Sequence, residues 1–195
     1  MLKGQNTNRP AKGSTITVQP ITKLKDIKAI KKLLHDKPRD LCLFTLGINT
    51  NLRASDLLSI KVGQVRDVDE LVLKERKTGK HRRITLNKAV SSSIQGLLAG
   101  SDLEDDDYMF QSQRADCLTV PSVNRLVKRW TGAINLKGNY GSHTLRKTFG
   151  YHQHKTFKTP LPDLMVAFNH SSQRQTLDYL CIQSKEQRDL YLNEL

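Results

Sequence analysis

The 195-residue chain holds three cysteines, and they form no framework. Cys42, Cys117 and Cys181 lie far apart with no Cys-x-x-Cys spacing, which excludes a disulfide scaffold or a zinc ribbon and leaves buried, reduced thiols as the expectation. Long hydrophobic runs are missing too: the most apolar stretch, Leu41–Ile48, is too short to cross a bilayer. Met1–Pro20 is polar throughout and lacks the apolar core of a secretory signal, so a cytoplasmic location is expected. Aromatic residues amount to 6%, and the one tryptophan, Trp130, falls at helical spacing and reads as core rather than as a base-stacking platform.

Acidic residues are scarce and clustered. There are 19 against 32 Lys and Arg, and five of the 19 crowd into Asp102–Asp107, so 14 acids face 32 bases over the rest of the chain. Such an excess draws polyanions to the surface. Nucleic acid or an anionic membrane surface becomes the leading partner class, and a neutral small-molecule substrate recedes.

Along the chain, residues 1–19 contain Lys3, Arg9 and Lys12 and no acid, and read as a flexible basic arm. Thr22 can cap a first helix carrying Leu24, Ile27, Ile30, Leu33 and Leu34, and Pro38 opens a second that buries Leu41, Phe44, Thr45 and Ile48 before Asn49–Asn51 breaks it. A short helix, Ser55–Ser59, precedes three apolar runs: Val62 to Val68, Leu71–Leu73 and Arg83–Leu86. Two turns separate them, the second with Thr78-Gly79 at its tip, so a three-stranded antiparallel sheet is expected. Asn87 then starts a helix stopped by Gly100, and helical patterns cover Val123–Ile134, His143–His154, Leu161–Phe168, Gln173–Leu180 and Lys185–Leu195. The expected class is α+β, mainly α, with one folded unit over residues 20–183 and a helical tail over 184–195.

The residues with chemical potential are dispersed. His143 and Arg146 in Ser142-His143-Thr144-Leu145-Arg146 share one helix face. Downstream stands Phe168-Asn169-His170-Ser171-Ser172, with Tyr179 nine residues after His170. In one straight helix that separation would be about 13 Å, too far to act on one phosphate, so a turn must fold them together. Ser171-Ser172-Gln173 can supply it, and Asn169 suits a left-handed helix end. Upstream, Arg53 precedes Asp56, a carboxylate able to hold the guanidinium, and Lys77 sits at the hairpin tip in Lys77-Thr78-Gly79-Lys80.

This order resembles the catalytic domain of the tyrosine recombinases, the phage integrase family that includes the Xer-type resolvases. The family's first arginine box is similar to Gly47–Leu57 around Arg53, its hairpin lysine to Lys77, its His-x-x-Arg box to His143–Arg146, its Leu-Gly-His-Ser box to Phe168–Ser171, and its nucleophile to Tyr179. Asn169 stands where Gly is usual and Asp56 where Glu is usual. The resemblance covers about residues 20–183. Most members carry an N-terminal core-binding domain; 20 polar residues stand in its place here, so none is expected in this chain, as in a catalytic fragment or in single-domain members such as the fimbrial inversion recombinases.

The resemblance implies a site-specific recombinase acting on double-stranded DNA through a 3′-phosphotyrosyl intermediate, with no metal, ATP or other cofactor. It implies a homo-tetramer during synapsis, a monomer when free, and a place in the bacterial cytoplasm or nucleoid. Arg53 and Arg146 would steady the phosphate oxygens, and His170 would add a donor. Tyr179 would attack phosphorus, His143 take its proton and Lys77 protonate the leaving 5′ oxygen. Asp56 would support Arg53, and Lys80, Arg82, Arg83 and Lys147 would contact DNA. Two other readings stay open: a type IB topoisomerase-like strand transferase, and a DNA-binding module with a decayed site. Arg53 and Asp56 could also be a plain surface ion pair. His143, His152 and His154 make a poor zinc site, because alternate helix positions point apart.

Overall fold

The structure, a computed structural model, describes residues 17–182 except 78 and 114. In chain order the elements are α1 (Leu24–Leu33), α2 (Pro38–Asn49), α3 (Ala54–Leu57), a 3-10 turn (Val62–Gln64), β1 (Glu70–Lys74), β2 (His81–Thr85), α4 (Lys88–Leu98), α5 (Val120–Ala133), α6 (Ser142–Lys155), α7 (Leu161–Phe168) and α8 (Gln173–Tyr179). The fold is mainly helical with a small antiparallel sheet. None of the helices among the described residues is long and apolar enough to cross a membrane.

The sheet has two strands, not the expected three; β1 and β2 pair from Glu70↔Thr85 to Lys74↔His81. Val62 and Val65 are three positions apart, and that spacing puts both on one side of a 3-10 turn, where both are buried, rather than on one face of a strand. A second correction concerns α1, whose N-cap is Lys23 without a side-chain cap, so Thr22 does not fill that role, and Leu24 stays 52% exposed. Other signals act as expected. Pro38 occupies the first turn of α2, the Asn87 side chain accepts from Val90 N–H at 3.0 Å, and Asn169 ends α7 in the left-handed conformation (φ 56°).

Helix α2 runs through the centre, with Cys42–Gly47 buried in succession and α4 and α6 packed against it. A Cβ on Gly47 would stand 2.6 Å from Leu145 Cδ1, so α2 and α6 meet where only glycine leaves room. This contact sets the end of α2, and hence Arg53, beside the first turns of α6. Trp130 is in the main core, edge-on to Phe44 with ring centroids 5.9 Å apart. Cys42 is buried there and its thiol is pushed up to about 12 by burial, whereas Cys117 and Cys181 are only half-buried, which corrects the expectation for those two.

A second, smaller apolar cluster of Leu164, Phe168, Leu180 and Ile182 joins α6, α7 and α8, with Phe149 and Tyr179 against it. Gly150 of α6 faces it: an added Cβ would lie 2.5 Å from Leu180 Cδ2 and 2.6 Å from Phe168 Cζ. Alanine is the better helix former, yet overpacking here should outweigh that gain. Gly150→Ala is expected to lower stability by about 1–3 kcal/mol in urea unfolding. A variant as stable as the parent would show that α8 yields freely.

Candidate active site

Four separate segments bring the expected residues to one place. Arg53 leads into α3, half-buried, and its Nη1 donates to Glu75 Oε2 at 3.1 Å. Asp56, fully buried, lies farther off at 3.8 Å, and its Oδ1 instead accepts from the Arg76 backbone N–H at 3.0 Å. Asp56 therefore pairs with Arg53 at longer range while holding the hairpin root, and Glu75 supplies the hydrogen bond to the guanidinium. Glu75 also accepts from Arg82 Nη1 at 3.1 Å, so one buried carboxylate joins two arginines. No pattern in the sequence marked Glu75, because its role comes from β1 ending beside α3.

Lys77 is exposed in the loop between Glu75 and Lys80, where Gly79 takes the left-handed conformation (φ 68°). Its charge is among those acting on His143. Lys80 Nζ reaches Asn169 Oδ1 at 3.5 Å. Arg83 points away from Arg82 across the pleat and pairs with Glu70 in the open at 2.9 Å. Of the residues expected to meet DNA, Arg82 is thus drawn into the site, and Lys147 is buried with its ammonium 4.8 Å from the Tyr179 ring centre.

On α6, His143 is an exposed residue of the otherwise covered first turn, and Arg146 is buried one turn on. Desolvation of its ring, then the cations Lys147, Arg146, Arg53 and Lys77, hold His143 below the ordinary histidine value, so it is neutral at pH 7. Arg146 donates from Nη2 to the Phe168 carbonyl at 3.4 Å, while its Nη1 is buried with no hydrogen-bond partner. Burial brings its guanidinium down to about 10; Tyr179 and Glu75 oppose that shift, and Arg53 and Arg82 add to it.

Phe168 is the hub of the arrangement, and the sequence did not single it out. The Arg146 Cζ lies 4.9 Å from its ring centre, and the His170 and Tyr179 rings are each 5.4 Å away. The left-handed turn at Asn169 and the Ser172 cap of α8 fold the chain back, so the His170 and Tyr179 rings stand 5.2 Å apart, edge to face. Asn51 ties the halves together by donating to the Ala167 carbonyl at 2.9 Å. The Tyr179 hydroxyl is held above its ordinary value by burial, against the pull of Arg146 and Arg53. It is therefore protonated at neutral pH and needs a proton acceptor to become a nucleophile.

Other polar side chains of this region serve structure. Tyr140 donates to the Lys137 carbonyl at 3.1 Å. The two nitrogens of His152 meet Thr156 Oγ1 at 2.8 Å and the Ile21 carbonyl at 2.9 Å, which fastens the segment ahead of α1 to α6. Among the described residues no three His, Cys, Asp or Glu side chains gather as metal ligands would. The expected tail and most of the basic arm lie outside the described residues.

A fold of this kind around two arginines, two histidines and a tyrosine defines a tyrosine recombinase catalytic domain. Residues 21–186 match the phage integrase family, and the chain belongs to it. It is 35% identical over 176 residues to the probable integrase/recombinase YoeC of Bacillus subtilis (strain 168), covering 89% of this chain and 95% of that protein. It is 29% identical to tyrosine recombinase XerC of Caldanaerobacter subterraneus subsp. tengcongensis, over 82% of this chain but only 47% of that longer protein. Among solved structures, the XerH site-specific recombinase bound to palindromic difH substrate, a post-cleavage complex, superimposes with a TM-score of 0.70 at 19% identity, covering 93% of this chain and 55% of that one.

Proposed function

We infer that the chain is a site-specific DNA recombinase that cuts and rejoins duplex DNA through a 3′-phosphotyrosyl link on Tyr179. The observation that carries this reading is the packing of Tyr179 against His170 at 5.2 Å, with the Arg146 and Arg53 cations acting on its hydroxyl. The Tyr179 oxygen attacks phosphorus as the bond to the 5′ oxygen breaks; its proton passes to neutral His143, and Lys77 protonates the departing alkoxide. Charge that builds on the non-bridging oxygens is met by the Arg53 and Arg146 guanidinium groups, with His170 as a further donor. Because the new ester keeps the bond energy, a 5′-hydroxyl can reverse the step without ATP. The excess of basic residues supports double-stranded DNA as the partner, as do the relatives that are recombinases and the XerH structure on its DNA substrate. On this reading residues 20–183 are the catalytic unit, Lys80 and Arg83 contact the backbone, and a homo-tetramer joins two duplexes.

The ends left by cleavage test this reading. With nicked duplexes captured from a randomised pool, and with EDTA present, the expected product is protein on the 3′ side and a free 5′-hydroxyl that a kinase can label. Ends with a 5′-phosphate and a free 3′-hydroxyl, or loss of cleavage in EDTA, would make the chain a metal-dependent nuclease.

A further inference from the structure

Thr176 lies on α8 three residues before Tyr179, and its side chain is fully buried. Its Oγ1 stands 3.1 Å from Nδ1 of His170 and 3.3 Å from the Ser172 carbonyl oxygen. A threonine hydroxyl has one hydrogen to donate, so these two neighbours compete for it. If the hydrogen goes to the Ser172 carbonyl, the hydroxyl oxygen is free to accept from a protonated Nδ1, and two hydrogen bonds form. If it goes instead to a bare Nδ1, only that bond forms, and the hydroxyl lone pairs are left buried without a donor. The Ser172 carbonyl also receives the Thr176 backbone N–H at 3.3 Å, so it remains satisfied in either case. In a buried site the arrangement with two bonds prevails, because unmade hydrogen bonds are costly there.

We propose that Thr176 is a positioning residue that keeps the proton of His170 on Nδ1 and so makes Nε2 the nitrogen that meets the scissile phosphate. The same hydrogen bond serves the neutral and the cationic ring, since Nδ1 carries hydrogen in both and proton exchange is confined to Nε2. The groups bearing on the ring are Arg146 from α6, Arg53 ahead of α3 and Tyr179 from α8. Burial and then those two arginines hold the imidazole below its ordinary value, so it is neutral before DNA binds. An arriving phosphate offsets their charge and favours a proton on Nε2, where it becomes a donor to the phosphate. Because Thr176 rides on the helix that carries the nucleophile, one hydrogen bond sets both the direction of His170 and its distance from Tyr179. The phosphate in this proposal rests on the recombinase reading; the tautomer does not.

The test is nitrogen NMR of the histidine side chains in the DNA-free, 15N-labelled full chain, with His170→Gln locating the ring's signals. The wild type and Thr176→Ser are expected to show a protonated Nδ1 and a bare Nε2, and Thr176→Val to gain the Nε2-protonated form. A wild-type proton on Nε2, or a valine variant with an unchanged tautomer, overturns the proposal. Strand cleavage should fall about fivefold to tenfold in Thr176→Val, the worth of one hydrogen bond, and be restored in Thr176→Ser. Adding Thr176→Val to His170→Ala should cost nothing further, and an equal loss in both backgrounds overturns the positioning role. If Thr176→Val does not fold, the wild-type and serine spectra decide. The expected tautomer in a chain that never cleaves DNA would count against the recombinase reading and leave the hold on His170 intact.

Discussion

Arg146→Ala is expected to slow single-turnover strand cleavage by roughly 10³- to 10⁵-fold, the range over which a guanidinium stabilises a phosphoryl transition state. The magnitude follows from how the cation is kept. Arg146 is 4% exposed, one side of its fork held by the Phe168 carbonyl and the other, Nη1, with no partner. Burial draws its pKa down to about 10, so the fold works against this charge and a bound anion would relieve it. A phosphate gaining charge in the transition state gains most from such a group, because nothing must reorganise when the charge appears. Lysine cannot reproduce a two-pronged contact, so Arg146→Lys should recover little. Stability should move the other way: loss of a buried, half-satisfied cation leaves urea unfolding unchanged or shifted upward. A loss of less than tenfold in cleavage would place the transition-state charge elsewhere.

The second large effect concerns the leaving group. A 5′ alkoxide is strongly basic, so removing its proton donor should cost roughly 10² to 10⁴ in rate. A sulfur at the same bridging position leaves as a thiolate without protonation. Lys77→Ala should therefore be slow on an ordinary duplex and near normal on a 5′-phosphorothiolate, whereas Arg53→Ala should be slow on both. The position of Lys77 suits this role: it is exposed on the hairpin loop, and its charge reaches His143 at the start of α6. Sulfur rescue of Lys80→Ala and not of Lys77→Ala would move the acid across the turn.

Much of this was legible in the sequence where local chemistry decides the outcome. Pro38, Asn87 and Asn169 act through their own backbone and caps, and all three behave as their side chains dictate. The boxes around Arg53, His143 and His170 were readable because, taken together and in order, they resemble the motifs of a known family; each alone is weak. Where the outcome depends on what packs against a residue, the sequence was silent. Nothing in the sequence set Glu75 apart, and only the approach of α3 turns it into the bridge between Arg53 and Arg82. Phe168 read as an apolar helix end, yet the Arg146, His170 and Tyr179 side chains all gather on its ring. The missing third strand has a similar cause, since Val62 and Val65 bury equally well in a 3-10 turn once Lys61 pairs with Tyr108. Lys147, basic and next to Arg146, reads as a DNA contact until α8 covers it.

The covalent link on Tyr179 is the centre of the account, and trapping it is the direct measurement. A nicked suicide duplex lets the short 5′ fragment diffuse away, so the protein–DNA ester accumulates and its peptide can be located by mass spectrometry. The adduct is expected on Tyr179, and none in Tyr179→Phe even though that variant still binds the duplex. An adduct on Tyr140, Tyr151 or Tyr191, or one that persists in Tyr179→Phe, would contradict it.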